Sequence, residues 1–478
     1  MKTPPILIAL ALQAATLSAA EQIVTLGDSL SFAYEAEFCF QKTVIGIGSI
    51  GDNMPATARN WIETLSNPTY RGDRFDLGAR DSVTVSAPGN PPFDLYFRQS
   101  GNWAIPGLKI HQFRQFLEGT MNFTQIIGSS TDFTTLSTIL TYSNFNNATD
   151  FALSDLDNQI QNTAERLTIT IGGNDIRAAY GTIYNGGGAG TFVADFMADM
   201  VSILDHVQAI NPNIQIVVTN VPHVGITPLI RISFPFDAVK TERVSAVLRD
   251  LNTQLAALAR TRNIGFADIY TPTLPMINPA NPLCIHGITF ANTGSSTGDL
   301  AQAWLNGTTS KNFHPNTNGQ TVIANEIIRA FNNRYNTGIA PLSATEMLVA
   351  LSGRAANSID ITYSNWVLAM MGSTPPITDD SDGDGISAGM EFALGLNPTR
   401  RDSDYLSSAR IGAELELAYP KRLPSSTHYT LTPESSSTLL APFAPISPLA
   451  PAADGLIHAR IPIGATPGFL RLQVNITP

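Results

Sequence analysis

Four short runs rich in β-branched residues, each closed by a turn and followed by an amphipathic stretch, constrain this chain most. Gln22 to Leu26 (QIVTL) and Leu167 to Ile171 (LTITI) both run into glycine-bearing turns. Ile214 to Val221 (IQIVVTNV) and Ile264 to Tyr270 (IGFADIY) repeat the pattern. Runs this apolar suit parallel strands buried on both faces. Between them, Phe192, Phe196, Met200, Ile203 and Val207 line one helical face, and Val244, Val247, Leu251, Leu255 and Leu258 another. These apolar positions read as core. The alternation predicts an α/β fold: a doubly wound, mostly parallel sheet with helices on both faces. The stretch from Asp81 to Asn162 breaks the rhythm with APGNPPF and Thr/Ser/Asn-rich loops, and is expected to be an insertion or lid that shapes a pocket.

The chain has 478 residues, more than one ordinary domain needs. Its 43% hydrophobic and 14% charged residues exclude a disordered protein. A formal charge of −11 argues against nucleic acid and anionic membranes as partners. The first twenty residues, MKTPPILIALALQAATLSAA, combine one Lys, an apolar run and small residues at Ser18 and Ala20. That pattern predicts a signal peptide cut before Glu21, and hence an extracellular or periplasmic protein. Past this segment, no run reaches the ~20 apolar residues of a membrane span. The expected division is 1–20 signal peptide, 21–335 main domain, 336–400 linker and helical segment, and 401–478 β-rich C-terminal module. The short alternating runs LIHARIPIG and GFLRLQVNI carry the last expectation. Oligomeric state is not written in the sequence.

Chemistry gathers in four blocks. The first strand runs into GDSL, which puts Ser29 where open α/β sheets present ligands. SGNWAIPGLK supplies Gly107 in a turn, where a backbone N–H can approach a ligand. TIGGNDI ends another strand and supplies Asn174, an amide with two N–H donors. SKNFHPNTNGQ supplies His314. A serine nucleophile, converging N–H donors and a histidine base are what acyl transfer requires.

These blocks, in this order over roughly residues 21 to 335, resemble the GDSL or SGNH hydrolases, a family of esterases and lipases. The resemblance implies a flavodoxin-like three-layer α/β/α domain and a covalent acyl-enzyme. It makes Ser29 the nucleophile, His314 the general base, and Ser29 N–H, Gly107 N–H and the Asn174 amide the oxyanion hole. Asp28 is expected to hold the turn. No cofactor is needed for that chemistry. The Gly-x-Ser-x-Gly elbow of the α/β-hydrolases is absent around Ser29.

The departure is at the triad's third member. The family places Asp three residues before the His, and this chain has Lys311 there. A lysine can neither orient the imidazole nor stabilise imidazolium. Some secreted actinobacterial lipases of the superfamily, with a similar Phe-His-Pro-Asn run, use a main-chain carbonyl instead. The expected acceptor here is the backbone carbonyl of Asn312, giving a Ser–His dyad; Asp299 is the alternative. His111, His206 and His223 read as structural, with His223 able to line the pocket. His286, His428 and His458 carry no functional signal.

In the tail, DSDGDGISAGME sets Asp380, Asp382 and Asp384 at alternate positions, then Gly385, the carbonyl of Ile386, and Glu391 at the twelfth place. That is the register of a Ca²⁺ loop, here 380–391, and it resembles EF-hand and thrombospondin type 3 calcium loops. A structural Ca²⁺ stiffening the junction is expected. Cys39 and Cys284 could pair, or stay apart as buried thiols. The expected protein is a secreted serine ester hydrolase acting on lipid acyl esters, short-chain esters or O-acetylated glycans. The alternative is a non-catalytic carbohydrate-binding or surface protein on the same scaffold.

Overall fold

The structure is a computed structural model that describes residues 20–34, 58–85, 93–122, 125–126, 152–294, 301–305, 313–401, 406–439, 442–449, 456–464 and 468–477. The signal segment, Cys39, Asp299, Lys311 and Asn312 lie outside the described residues.

The chain opens with β1 (Ile23–Gly27), followed by α1 (Trp61–Leu65) and a hairpin of β2 (Arg80–Val85) and β3 (Phe93–Gln99). Next come β4 (Asn102–Ala104), α2 (Ile110–Leu117), α3 (Leu153–Asn162), β5 (Arg166–Thr170), α4 (Gly173–Tyr184) and α5 (Phe192–Ile210). Then follow β6 (Gln215–Thr219), α6 (Pro228–Ser233), α7 (Ala238–Arg262) and β7 (Gly265–Ala267). The strands β4-β1-β5-β6-β7 form one five-stranded sheet in that order, and every pairing is parallel. Counting only these five strands along the chain gives the order 2-1-3-4-5, the flavodoxin-like doubly wound order. The α/β expectation therefore holds.

Both faces of the sheet are buried because the strands carry apolar side chains on each. Val24 and Leu26 of β1, with Ile216 and Val218 of β6, enter one core with Phe113, Phe196, Met200, Ile203, Val244, Leu248 and Leu251. Ile23 and Val217 point the other way, into a second core. That core includes Trp61, Phe75 and, from the long helix α8 introduced below, Ile327 and Phe331.

One expectation is corrected. The stretch Asp81–Asn162 is not a single insertion, because Asn102, Trp103 and Ala104 pair in parallel with Thr25, Leu26 and Gly27 as an edge strand. A three-residue strand is too short to show a period, so it is invisible in the pattern.

Beyond β7 lie β8 (Leu283–Ile285), β9 (Ile288–Gly294) and β10 (Gln302–Trp304), then α8 (Thr317–Tyr335), α9 (Tyr363–Met371) and α10 (Ala388–Leu394). The C-terminal strands β11 (Ser407–Ile411), β12 (Glu414–Tyr419), β13 (Tyr429–Ser436), β14 (Ala444–Pro445), β15 (Ile457–Pro462) and β16 (Phe469–Ile476) form two antiparallel three-stranded sheets. Trp366 of α9, Phe392 of α10 and Tyr429 of β13 share a small core that joins the sheet of β13 and β16 to the two helices. Arg400 forms a bidentate pair with Glu326 of α8 at 2.6 and 2.8 Å, which ties the tail to the α/β unit. Cys284 keeps a free thiol 3.6 Å from Met370 Sδ.

Candidate active site

The site sits at the carboxyl ends of β1, β4 and β5, where the strand order reverses about β1. This is the switch point at which open α/β sheets bind ligands. β1 delivers Gly27 against β5: a side chain on Gly27 would bring Cβ to 2.7 Å from the Thr170 carbonyl oxygen. The turn that follows is wound around Asp28. Its main-chain oxygen accepts from Ser31 N–H at 3.0 Å and Phe32 N–H at 3.2 Å, and its Oδ1 accepts from Leu30 N–H at 3.0 Å. Asp28 thus holds the turn, as expected of it, and Ser29 stands on top with 8% of its surface exposed.

β4 places the second block. Ile105 N–H donates to the Gly27 carbonyl at 2.9 Å, and the chain then turns through Gly107 at φ 74°, a conformation that favours glycine. The third block follows β5, where Asn174 lies in the first turn of α4. Its Nδ2 donates to the Leu108 carbonyl at 3.2 Å, linking this turn to the one through Gly107. Among the described residues, the N–H groups of Ser29 and Gly107 donate to no protein acceptor. Donors left open inside a protein are rare and mark places where a ligand completes the bonding.

The fourth block comes from the far end of the domain. Leu305 N–H donates to the His314 carbonyl and Asn316 N–H to the Ala303 carbonyl, both at 2.9 Å, so His314 is fastened to the end of β10. Asn316 then caps α8. Pro315 offers its carbonyl to the Tyr34 hydroxyl at 2.8 Å, and Gln320 donates to that hydroxyl at 2.6 Å. This places His314 Nε2 2.7 Å from Ser29 Oγ, across 285 positions. Ser29, Asn174 and His314 are brought together with the turn through Gly107. The carbonyl of Asn312 and the alternative Asp299 lie outside the described residues.

Electrostatics beneath the site are unusual. Burial, with the Asp175 charge adding to it, raises the Asp28 carboxyl to about 7. Burial likewise raises Asp175 to about 7, although Ile110 N–H donates to both its oxygens at 3.3 Å. Two buried carboxyls raised this far beneath Ser29 can hold a proton near neutrality. Asp175 was missed in the sequence, although it follows Asn174 directly. Tyr34 was missed too, and nothing in its local sequence marks it.

His223 is wholly buried, with its Nδ1 accepting from Gly225 N–H at 3.1 Å; burial lowers it to about 4, so it is a neutral structural ring. It also lines a pocket of about 780 Å³, counting its open mouth, that reaches Ser29 and Asn174. His206 pairs with Asp157 at 2.8 Å and His458 with Glu416 at 3.2 Å.

Residues 137–322 match the GDSL-like Lipase/Acylhydrolase family. This part of the α/β unit is similar to that family, and the chain is a carboxylic ester hydrolase. The match covers Asn174 and His314, while Ser29 and Gly107 precede it. Among solved structures, an extracellular lipase from Streptomyces rimosus is 16% identical over 65% of this chain and 100% of its own, at a TM-score of 0.32. A family 3 carbohydrate esterase from Clostridium thermocellum is 11% identical over 66% of this chain and 96% of its own, at a TM-score of 0.29. Another from Talaromyces cellulolyticus is 12% identical over 66% and 99%, at 0.27. No curated protein matches the sequence. The acylhydrolase chain has, among its described residues, no helix long and apolar enough to cross a membrane.

In the tail of the acylhydrolase, carboxylate oxygens of Asp380, Asp382 and Asp384 lie within 4.8 Å of one another. Backbone amides wrap them: Gly383 and Gly385 donate to Asp380, each at 3.0 Å, and Ile386 donates to Asp384 at 2.8 Å. Asp382 Oδ2 accepts no hydrogen bond, and burial and its two acidic neighbours raise this carboxyl. A set of hard oxygens under mutual repulsion fits a hard cation. Glu391 is buried in α10 and does not join the three-aspartate group.

Proposed function

We propose that the acylhydrolase cleaves its ester through a Ser–His dyad and an acyl-enzyme. Ser29 Oγ attacks the ester carbonyl while His314 Nε2 takes its proton. The carbonyl oxygen becomes an oxyanion that Ser29 N–H, Gly107 N–H and the Asn174 amide receive. Collapse breaks the bond to the alcohol, which leaves with the proton from His314. Water, deprotonated by His314, then releases the acid and restores Ser29. The main-chain carbonyl of Asn312 is the proposed acceptor for the other ring nitrogen of His314.

One observation carries this reading: a 2.7 Å contact between Ser29 Oγ and His314 Nε2. The test is trapping. A fluorophosphonate probe should add one mass equivalent on Ser29 and abolish turnover; labelling elsewhere, or none, contradicts it.

The remainder of the reading is a secreted enzyme whose 1–20 segment is removed, with a hydrolase domain to about residue 335 and a C-terminal β-module. A Ca²⁺ held by Asp380, Asp382 and Asp384, with the Ile386 carbonyl, would supply charge neutralisation and stiffness there, not chemistry.

A further inference from the structure

The pocket at Ser29 has a chemistry of its own. Asp28, Ser29, Gly173 and Asn174 form one end of its lining. The rest is apolar and drawn largely from the second core: Ile226, Ile269, Met276, Leu283, Trp304 and Ile323. Among the described residues of these walls, the side-chain hydroxyls and the indole N–H are bonded to protein. Thr227 Oγ1 donates to the Val224 carbonyl at 2.8 Å and Thr273 Oγ1 to the Tyr270 carbonyl at 2.9 Å. Trp304 Nε1 donates to Asn292 at 2.9 Å, which leaves the indole's apolar surface as wall. His223 Nδ1 accepts from Gly225 N–H at 3.1 Å, and its Nε2 is buried away from the space. A sugar hydroxyl entering here would lose water and face a mostly apolar surface among the described residues.

The position of the pocket says which half of an ester it holds. In an acyl-enzyme the acyl group stays bonded to Ser29, with its oxygen at Asn174; the alcohol leaves past the histidine that protonates it. The lining includes Ser29 and Asn174 but not His314, whose neighbours Phe313 and Pro315 contribute instead. We infer that this is an acyl-chain pocket and that the enzyme's substrates are esters of fatty acids longer than acetyl, in preference to acetyl esters. The inference rests on Ser29 being the nucleophile. An acetyl methyl beside Ser29 would leave most of these apolar walls without contacts.

The experiment is a kcat/KM series for p-nitrophenyl acetate, butyrate, hexanoate, octanoate, decanoate and palmitate with the full-length protein, its Ser29→Ala variant, Thr273→Phe and Val322→Phe. Thr273 and Val322 are half-buried pocket residues, so a larger side chain at either fills the space without entering the sealed core. Their melting transitions check the fold. The inference expects kcat/KM to rise about fourfold per added methylene from acetate until the apolar walls are covered, the gain from burying a CH₂ group. Both Phe variants should lower the octanoate-to-acetate ratio tenfold or more. Turnover abolished by Ser29→Ala, but fastest on acetate and with an unchanged ratio in both Phe variants, overturns the pocket and leaves the nucleophile standing. Turnover that survives Ser29→Ala overturns the nucleophile and the pocket with it.

Discussion

His314 Nε2 and Ser29 Oγ are 2.7 Å apart although 285 positions separate them. Three local devices hold that distance. The turn around Asp28 fixes Ser29 to the end of β1, the bonds to Leu305 and Ala303 fix the His314 strand to β10, and Tyr34 bridges the serine turn to Pro315. The contact is thus set by two parts of one sheet-and-helix frame and not by a flexible loop.

Asn174 is the side-chain donor of the proposed oxyanion hole. Asn174→Ala should lower kcat by roughly 100- to 1,000-fold while leaving KM within a few-fold, since the lost bond is made only in the transition state. Steady-state kinetics on p-nitrophenyl butyrate decide this. A rise in KM with kcat unchanged would place Asn174 in ground-state binding instead.

The Asp28–Asp175 pair predicts a pH dependence of stability. Both carboxyls are raised in the fold to about 7, burial being the first cause in each. A raised carboxyl keeps its proton in the folded state after the unfolded chain has released it. Its penalty is absent below the unfolded value near ~4, grows as pH rises, and is full above about 7. Asp28→Asn cannot ionise, and its retained oxygen can still accept from Leu30 N–H. Denaturant unfolding should show wild-type stability falling between about pH 4 and 7 by an amount on the order of a few kcal/mol, and the variant falling less. Equal slopes in the two proteins would contradict the pair.

The aspartate loop predicts stabilisation by Ca²⁺. Asp380, Asp382 and Asp384 should bind it with measurable heat, and saturation at a hundredfold over Kd stabilises by about 2.7 kcal/mol. Calorimetry on the full chain should show the tail's transition rising by several degrees with Ca²⁺ and returning with chelator. Asp380→Asn combined with Asp382→Asn should erase the shift. An unfolding profile blind to both Ca²⁺ and chelator would show that the loop is stabilised by its own amide contacts alone.

Much of this was readable in the chain because the signals are local and repeated. The β-branched runs marked β1, β5, β6 and β7, and the Gly-Asp-Ser, Gly-Gly-Asn and Phe-His-Pro blocks sit next to the strand ends and helix start that position them. Less local features were not readable. β4 has three residues and belongs to the sheet through one ladder to β1, so no period announces it. The opposition of Asp28 and Asp175 exists only once β1 and α4 are side by side. The apolar pocket is assembled from turns, strands and a helix between residues 222 and 323, none of which marks a cavity alone.

The most direct measurement is kcat/KM for p-nitrophenyl butyrate in Ser29→Ala beside the wild type, with melting curves confirming that both are folded. With Ser29 as nucleophile and His314 as its base, the variant should lose at least ~1,000-fold. Activity retained within about tenfold of wild type would contradict the account, because general-base help to water accounts for only part of a nucleophile's contribution.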